Sequence, residues 1–352
     1  MRTKKNLTSY TKDYFNLLHK RLFHRSKGMI IRDYNKGLFN IDLFKGLDKL
    51  NQNFIDQQKC SCCETAKSCL IPRPSKTVKV TYSKREVEYD HIFEAGTLST
   101  DLTGPYAIKS FNDKFNGSQT FMLMDSKKTF TYGYKKKSDS IDNLKHLVEY
   151  KLNPRNIKLT RFHSDNAREL IGLETRNYLK EISCFPTSST AYTPKENSFV
   201  ERSFKHENEA VSSAFCYAKQ VPEMFWMKCK ESFHYISNKL PKYTARGLMS
   251  PYQFETGKIP NLSHIRIWGC KAWVHIPKER RTKGFKAKAL VGYLMGYNEH
   301  QLGAYIVFVP ELVKFVVSKN VKFDENIPQG PIDGHVNDYF KEMLTFKMNE
   351  NK

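Results

Sequence analysis

Hydrophobic positions along this chain repeat at two different intervals, and the changes of interval divide it into units. In SIDNLKHLVEYKL, Ile141, Leu144, Leu147 and Val148 recur at helical spacing, which predicts an amphipathic helix capped by Ser138 or Ser140. LIGLETRNYLKEI repeats the pattern with Leu170, Leu173, Tyr178 and Leu179. ENSFVERSFKHENEAVSSAFCYA reads as a long helix, and another follows from Pro222 to Leu240. Between these stretches the pattern is that of strands. GTLSTDLTGPY predicts a strand ending in a Gly-Pro turn, and SQTFMLMDSKKTFTYGYKKK predicts two antiparallel strands through the polar turn Asp125 to Lys128. NIKLTRFHSD and the short CFPTSSTAYTP complete the set.

Residues 86–260 therefore read as strand, two strands, helix, strand, helix, strand, helix, the order of an α/β RNase H-like core. Residues 262–326 differ: short β-rich runs punctuated by Gly and polar turns predict a small barrel or meander. Residues 1–75 form a separate N-terminal unit, joined to the core by an extended linker from Pro72. Residues 327–352 read as a tail with a frayed helix.

Three carboxylates occupy places where this order would gather them. Asp101 lies in STDLTGP on the first strand, Asp165 follows the fourth, and Glu201 stands on the long helix with 35 residues between it and Asp165. Three acids on one face repel unless cations bridge them. Two Mg²⁺ or Mn²⁺ ions would suit their hard oxygens and clamp an in-line displacement at phosphorus. Taken singly, each acid is as readily a cap or turn residue, and Glu201 with Lys205 is as readily a surface pair one turn apart.

The charge balance points to the partner. The formal net charge is +22, which favours a polyanion, DNA first and RNA second, through counterion release. Lys278, Arg280, Arg281, Lys283, Lys286 and Lys288 concentrate that charge near Tyr293 and Tyr297, the composition of a nucleic-acid surface or of a solvated loop. No apolar run reaches membrane length and the N-terminus lacks an apolar signal core, so no membrane partner is expected.

Eight cysteines are present, and they do not form a secreted disulfide framework. Cys60 and Cys63 have the spacing that lets two thiolates grip one tetrahedral Zn²⁺, and His19 and His24 in LLHKRLFH would complete a closed structural site. A unit this small needs such a staple. Cys62 could replace Cys60, Cys69 could compete, and all of these residues could instead be ordinary thiols and surface histidines.

Together these motifs resemble the integrase region of a copia-type, yeast Ty-like, LTR retrotransposon polyprotein, over almost the whole chain. LLHKRLFH with CSCC resembles the pre-integrase zinc module, and STDLTGP, RFHSDNAREL and TPKENSFVER resemble the three acidic motifs of its D,D-35-E pattern. VGYLMGY and VVSKNVKFDEN resemble the segment after the catalytic core. The resemblance implies a metal-dependent polynucleotidyl transferase that joins 3′ ends of element cDNA to target DNA. Asp101, Asp165 and Glu201 would bind magnesium, Lys205 would lie near the DNA end, and one Zn²⁺ would be structural. It also implies a homo-multimer found in nucleus and cytoplasm. Two alternatives stand beside it: a catalytically silent, nucleic-acid-binding relic and an RNase H-like nuclease. The chain departs from the family pattern at Leu18, Phe23, Ala167 and Ser198, the last three standing where the family has glycine. A Cβ at such positions is expected to strain a tight turn or crowd the DNA.

Overall fold

A computed structural model describes residues 5–41, 59–67, 95–164, 172–188, 194–280, 287–301 and 303–326; it does not extend to the side chains of 5–12, 188, 194–202 and 280. Its helices are α1 (Lys5–Arg21), α2 (Lys27–Asn35), α3 (Ser61–Ala66), α4 (Ser140–Leu147), α5 (Leu173–Glu181), α6 (Pro194–Tyr217), α7 (Trp226–Ser237) and α8 (Pro251–Thr256). The first five strands are β1 (Thr97–Thr103), β2 (Gly117–Leu123), β3 (Thr129–Tyr134), β4 (Arg161–Ser164) and β5 (Phe185–Ser188).

These five strands make one sheet in the order β3-β2-β1-β4-β5. β1 pairs antiparallel with β2 and parallel with β4, and β4 pairs parallel with β5. Three antiparallel strands followed by two parallel ones, with helices on both faces, is the RNase H-like arrangement. Strand alternation sorts the side chains between the faces. Leu98, Phe121, Leu123 and Phe162 turn to one face and pack with Ile141, Leu144, Leu147 and Val148 of the α4 region and with Leu179 of α5. On the opposite face Met122 and Met124 meet Phe204 of α6.

The apolar stripe predicted at Ile141, Leu144, Leu147 and Val148 is buried as expected. Its start differs. Ser140 is the first residue of α4, and neither serine caps it. Asp139 precedes the helix, and its carboxylate accepts the backbone N–H groups of Lys135 and Lys136 at 2.9 and 3.0 Å. Leu173, expected on the apolar side of its helix, is 77% exposed because it opens α5 ahead of the turn that packs. The helix expected from Pro222 to Leu240 is shorter: a 3₁₀ turn at Glu223–Phe225 leads into α7. Leu170, the linker from Pro72 and the tail 327–352 lie outside the described residues.

A hairpin of β6 (Lys242–Thr244) and β7 (Gly247–Met249) leads to a second five-stranded sheet. It comprises β8 (Lys271–His275), β9 (Ala289–Tyr297), β10 (Tyr305–Val309), β11 (Lys314–Ser318) and β12 (Val321–Asp324), in the order β11-β10-β9-β8-β12. A single apolar cluster joins Phe15, Leu22 and Phe23 of the N-terminal segment, Ala214, Phe225 and Phe233 from the α6–α7 region, and Trp268, Leu294 and Phe308 of the second sheet. Arg21 pairs with Glu325 across the same junction, and that carboxylate also accepts the N–H of Ile267 at 2.9 Å.

The end of β1 is clamped by an aromatic ring. Tyr134 donates its hydroxyl to the Thr103 carbonyl at 3.2 Å, and Gly117 lies beneath it. A Cβ at Gly117 would sit 2.3 Å from the Tyr134 hydroxyl and 2.6 Å from the Thr103 carbonyl oxygen. Gly117→Ala should therefore destabilise the fold by roughly 1–3 kcal/mol, measured by denaturant unfolding. An unchanged midpoint would mean that β1 and β2 are free to separate there.

Candidate active site and metal centre

The metal centre forms where α1 ends. His19 is in the last turn of α1, and His24 follows in a turn where Phe23 and His24 take φ of +51° and +54°. A left-handed pair of this kind favours glycine. Phe23 tolerates it with its ring 3% exposed and edge-on to Phe233 of α7, centroids 5.7 Å apart. The strain expected from the missing glycine is therefore set against a buried aromatic contact.

α3 brings Cys60 and Cys63 to these histidines. The ligand atoms of His19, His24, Cys60 and Cys63 all lie within 4.8 Å of one another. Cys60 Sγ is 3.4 Å from His24 Nδ1, and Cys63 Sγ is 3.3 Å from His19 Nε2 and 3.4 Å from His24 Nδ1. Tetrahedral zinc with nitrogen and sulfur ligands requires separations of roughly 3.3–3.8 Å, so the donor set fits it. His19 Nδ1 is 2.8 Å from the Arg25 carbonyl. That hydrogen bond places the proton on Nδ1 and leaves the Nε2 lone pair facing the cluster. Burial lowers the His24 pKa, which favours the neutral ring a metal needs. The hydrogen bond between the thiols pushes Cys60 down and Cys63 up, so the pair loses its first proton readily. The ambiguity over Cys62 is resolved. It is buried, and burial and its Cys216 neighbour push its thiol up to about 12. It packs α3 onto α6 and stays outside the ligand set. Cys69 lies outside the described residues.

Asp101, the first of the three predicted acids, stands on β1. Asp101 pairs directly with Thr120 of β2, so the two side chains share the face covered by α6. Asp101 is half-buried, and one of its oxygens accepts the Leu102 N–H at 2.7 Å. β4 runs alongside in parallel register, Ser99 with His163 and Thr100 with Ser164. Asp165, the next residue, lies outside the described residues; Glu201 is on α6, with its side chain outside them. Lys205 is exposed on the same helix. Of the basic cluster, Lys278 and Lys288 are exposed, Arg280 ends a short 3₁₀ turn, and Arg281, Lys283 and Lys286 lie outside the described residues.

One carboxylate on this face escaped the sequence reading. Glu207 of α6 is fully buried. Its oxygens lie 2.8 Å from Lys230 Nζ and 3.3 Å from His234 Nε2, both on α7, and Thr120 donates its hydroxyl to it at 3.4 Å. Burial pushes this carboxyl up, but His234 and Lys230 outweigh it and hold the pKa down to about 2. So paired, Glu207 is not available as a metal ligand. A polar residue three places after Phe204 and four before Val211 on a helix was the only signal in the sequence.

A family model described as the retroviral polymerase SH3-like domain matches residues 270–334, a span that includes every strand of the second sheet. The chain is 26% identical over 314 residues to the retrovirus-related Pol polyprotein from transposon TNT 1-94 of Nicotiana tabacum, covering 88% of this chain and 22% of that protein. It is 29% identical over 270 residues to the corresponding polyprotein from transposon RE2 of Arabidopsis thaliana, covering 76% and 17%. Its homologues are thus retrovirus-related Pol polyproteins of copia-type plant transposons, and it spans about a fifth of their length. Among solved structures it is similar to the catalytic core domain of BIV integrase, at 15% identity and a TM-score of 0.33 over 47% of this chain and 95% of that one. It is also similar to the HTLV-2 integrase core in complex with magnesium, at 14% identity and a TM-score of 0.35 over 47% and 98%.

Two outcomes are expected. Native mass spectrometry should find one zinc ion per chain, and Cys63→Ser should abolish it and lower the melting temperature, whereas Cys62→Ser should retain the metal. Zinc retained by the Cys63 variant would refute the ligand assignment. Glu207 gives a pH signature. Its folded pKa of about 2 lies below the ordinary glutamate value of 4.5, so the folded state binds fewer protons. Its contribution is present above about pH 4.5 and is lost as the pH falls towards 2. In urea titrations the stability difference between wild type and Glu207→Gln should shrink across that window.

Proposed function

We propose that this chain is the integrase portion of an LTR retrotransposon Pol polyprotein, a metal-dependent polynucleotidyl transferase that joins the 3′-hydroxyl ends of element cDNA to phosphates of target DNA. The observation that carries this reading is the parallel register of β1 and β4. Its last matched pair is Thr100 with Ser164, and an aspartate comes next in each chain segment. α6, which carries Glu201, packs over that face. Asp101, Asp165 and Glu201 are the residues that would hold two Mg²⁺ or Mn²⁺ ions, and their hard oxygen donors suit those cations. When bound, the ions would supply Lewis-acid activation of the attacking hydroxyl and stabilise the leaving oxygen.

The protein's own part is to hold and orient. The sheet pairs the backbone of Asp101 with Thr120 of β2, one residue beyond the last pair of β1 with β4. Lys205, exposed one turn beyond Glu201, would meet a phosphate of the DNA end. Lys278, Arg280, Arg281, Lys283, Lys286 and Lys288 would extend the contact along the backbone of either DNA. Joining two DNA ends requires more than one copy of the chain, and its work on chromosomal DNA would follow synthesis in the cytoplasm with entry to the nucleus. The zinc-binding residues serve stability, since four protein ligands leave no open position for catalysis.

The test is a strand-transfer assay with labelled element-end DNA, a target plasmid and Mg²⁺ or Mn²⁺. Joined product should form with wild type and fall to background with Glu201→Gln, while both proteins bind DNA with an affinity that declines steeply between low and moderate salt. Folded protein that binds DNA but joins nothing would make it a silent relic. Cleavage confined to RNA–DNA hybrids would make it a nuclease.

A further inference from the structure

Glu207 and its partners are in an unusual place for buried charge. The side chains of Glu207 and Lys230 are each 2% exposed and that of His234 is 6%. Desolvating such groups is costly, and apolar residues of similar size would fill the space as well. Each contact of the group, however, leads to a different element of the acidic face. Glu207 is on α6, six residues beyond Glu201. Thr120, which donates to it, sits on β2 directly opposite Asp101. Lys230 Nζ lies 5.6 Å from the ring centre of Tyr106, in the segment leaving β1. The other ring nitrogen of His234 is 2.8 Å from the Thr129 hydroxyl on β3, and Asn238 locks the same threonine through its backbone N–H at 2.9 Å and its carbonyl at 2.7 Å.

The apolar packing beside this group is less specific. Phe204 meets Met122 and Met124, flexible side chains that adapt to a sliding or rotating helix. The Thr120–Glu207 and His234–Thr129 hydrogen bonds are directional, and the Glu207–Lys230 ion pair, though not in hydrogen-bond geometry, cannot be pulled apart inside the core without stranding a buried charge. We propose that Glu207, held by Lys230 and His234, is a positioning residue that sets how α6 lies across β1 and β2, and so where Glu201 stands relative to Asp101. This inference rests on the reading of Asp101, Asp165 and Glu201 as metal ligands and adds to it the device that fixes their spacing.

The experiment measures Mn²⁺ uptake by the full chain, using the electron paramagnetic resonance signal of free Mn²⁺, alongside thermal unfolding. Asp101→Asn is the control that identifies ions bound at the acidic face. Two variants test the device. Thr120→Val removes one directional contact at constant shape, and Glu207→Leu with Lys230→Met removes both charges at similar volume. Positioning predicts that both variants melt near wild type while the Mn²⁺ concentration for half-saturation rises about tenfold, the usual scale for disturbing the support of a metal ligand. Uptake unchanged in folded variants would reduce the group to a stability element and overturn the inference. If the double variant fails to fold, Thr120→Val alone decides. If wild type binds no Mn²⁺ that Asp101→Asn removes, the metal-site reading falls first, and this inference falls with it.

Discussion

The structure depends on one shared apolar core. The N-terminal segment is too short to bury its own hydrophobic side chains, and so is the second sheet. Both solve the problem on the same helices: Phe23 packs against Phe233 of α7, while Phe308 packs against Phe225 immediately before it, with centroids 4.7 Å apart. The α6–α7 pair therefore carries the turn with His24, one face of the RNase H-like sheet and the small β unit at once. Movement of either helix would be felt in all three.

This explains why polar contacts cluster around those helices. Apolar burial is non-directional and leaves a helix free to slide or turn by small amounts. The junctions are instead pinned by specific groups. Arg25 spans from the turn after α1 to Asp33 at 2.7 Å and to the Pro241 carbonyl at 3.0 Å. Arg21 and Glu325 pin the end of α1 to the C-terminal strands. Glu207 and Lys230 do the same between the helices, inside the core, where the cost of charge is highest and the geometry most constrained.

The turn that carries His24 shows the same balance on a smaller scale. Its left-handed residues would suit glycine, yet Phe23 supplies a ring that fastens the turn to α7. A glycine there would relax the backbone and lose the anchor. Two members of the His/Cys cluster and the docking contact onto the core thus share one short stretch, from His19 to Arg25, in which the histidines, a backbone carbonyl that orients one of them, and a buried anchor alternate.

The sequence by itself determined those features whose signal lies within a few neighbouring residues or in residue chemistry. The apolar period at Ile141, Leu144, Leu147 and Val148, the strand order of the core and the His and Cys residues of the metal centre were all legible there. Even a sequence separation of 36 between His24 and Cys60 did not hide their candidacy, because few residue types bind zinc. Only the tertiary structure decided which thiols meet the histidines, since Cys60 and Cys62 differ by the side of a short helix that faces α6. It alone showed that Phe23 adopts a left-handed backbone and that Leu173 is exposed. It alone explained Glu207. A glutamate on the apolar side of a helix looks like a mistake in the pattern until Lys230 and His234 arrive from the next helix. Periodicity reports which face of an element is buried, but ion pairing depends on what stands within about 4 Å in space, and no local pattern encodes that.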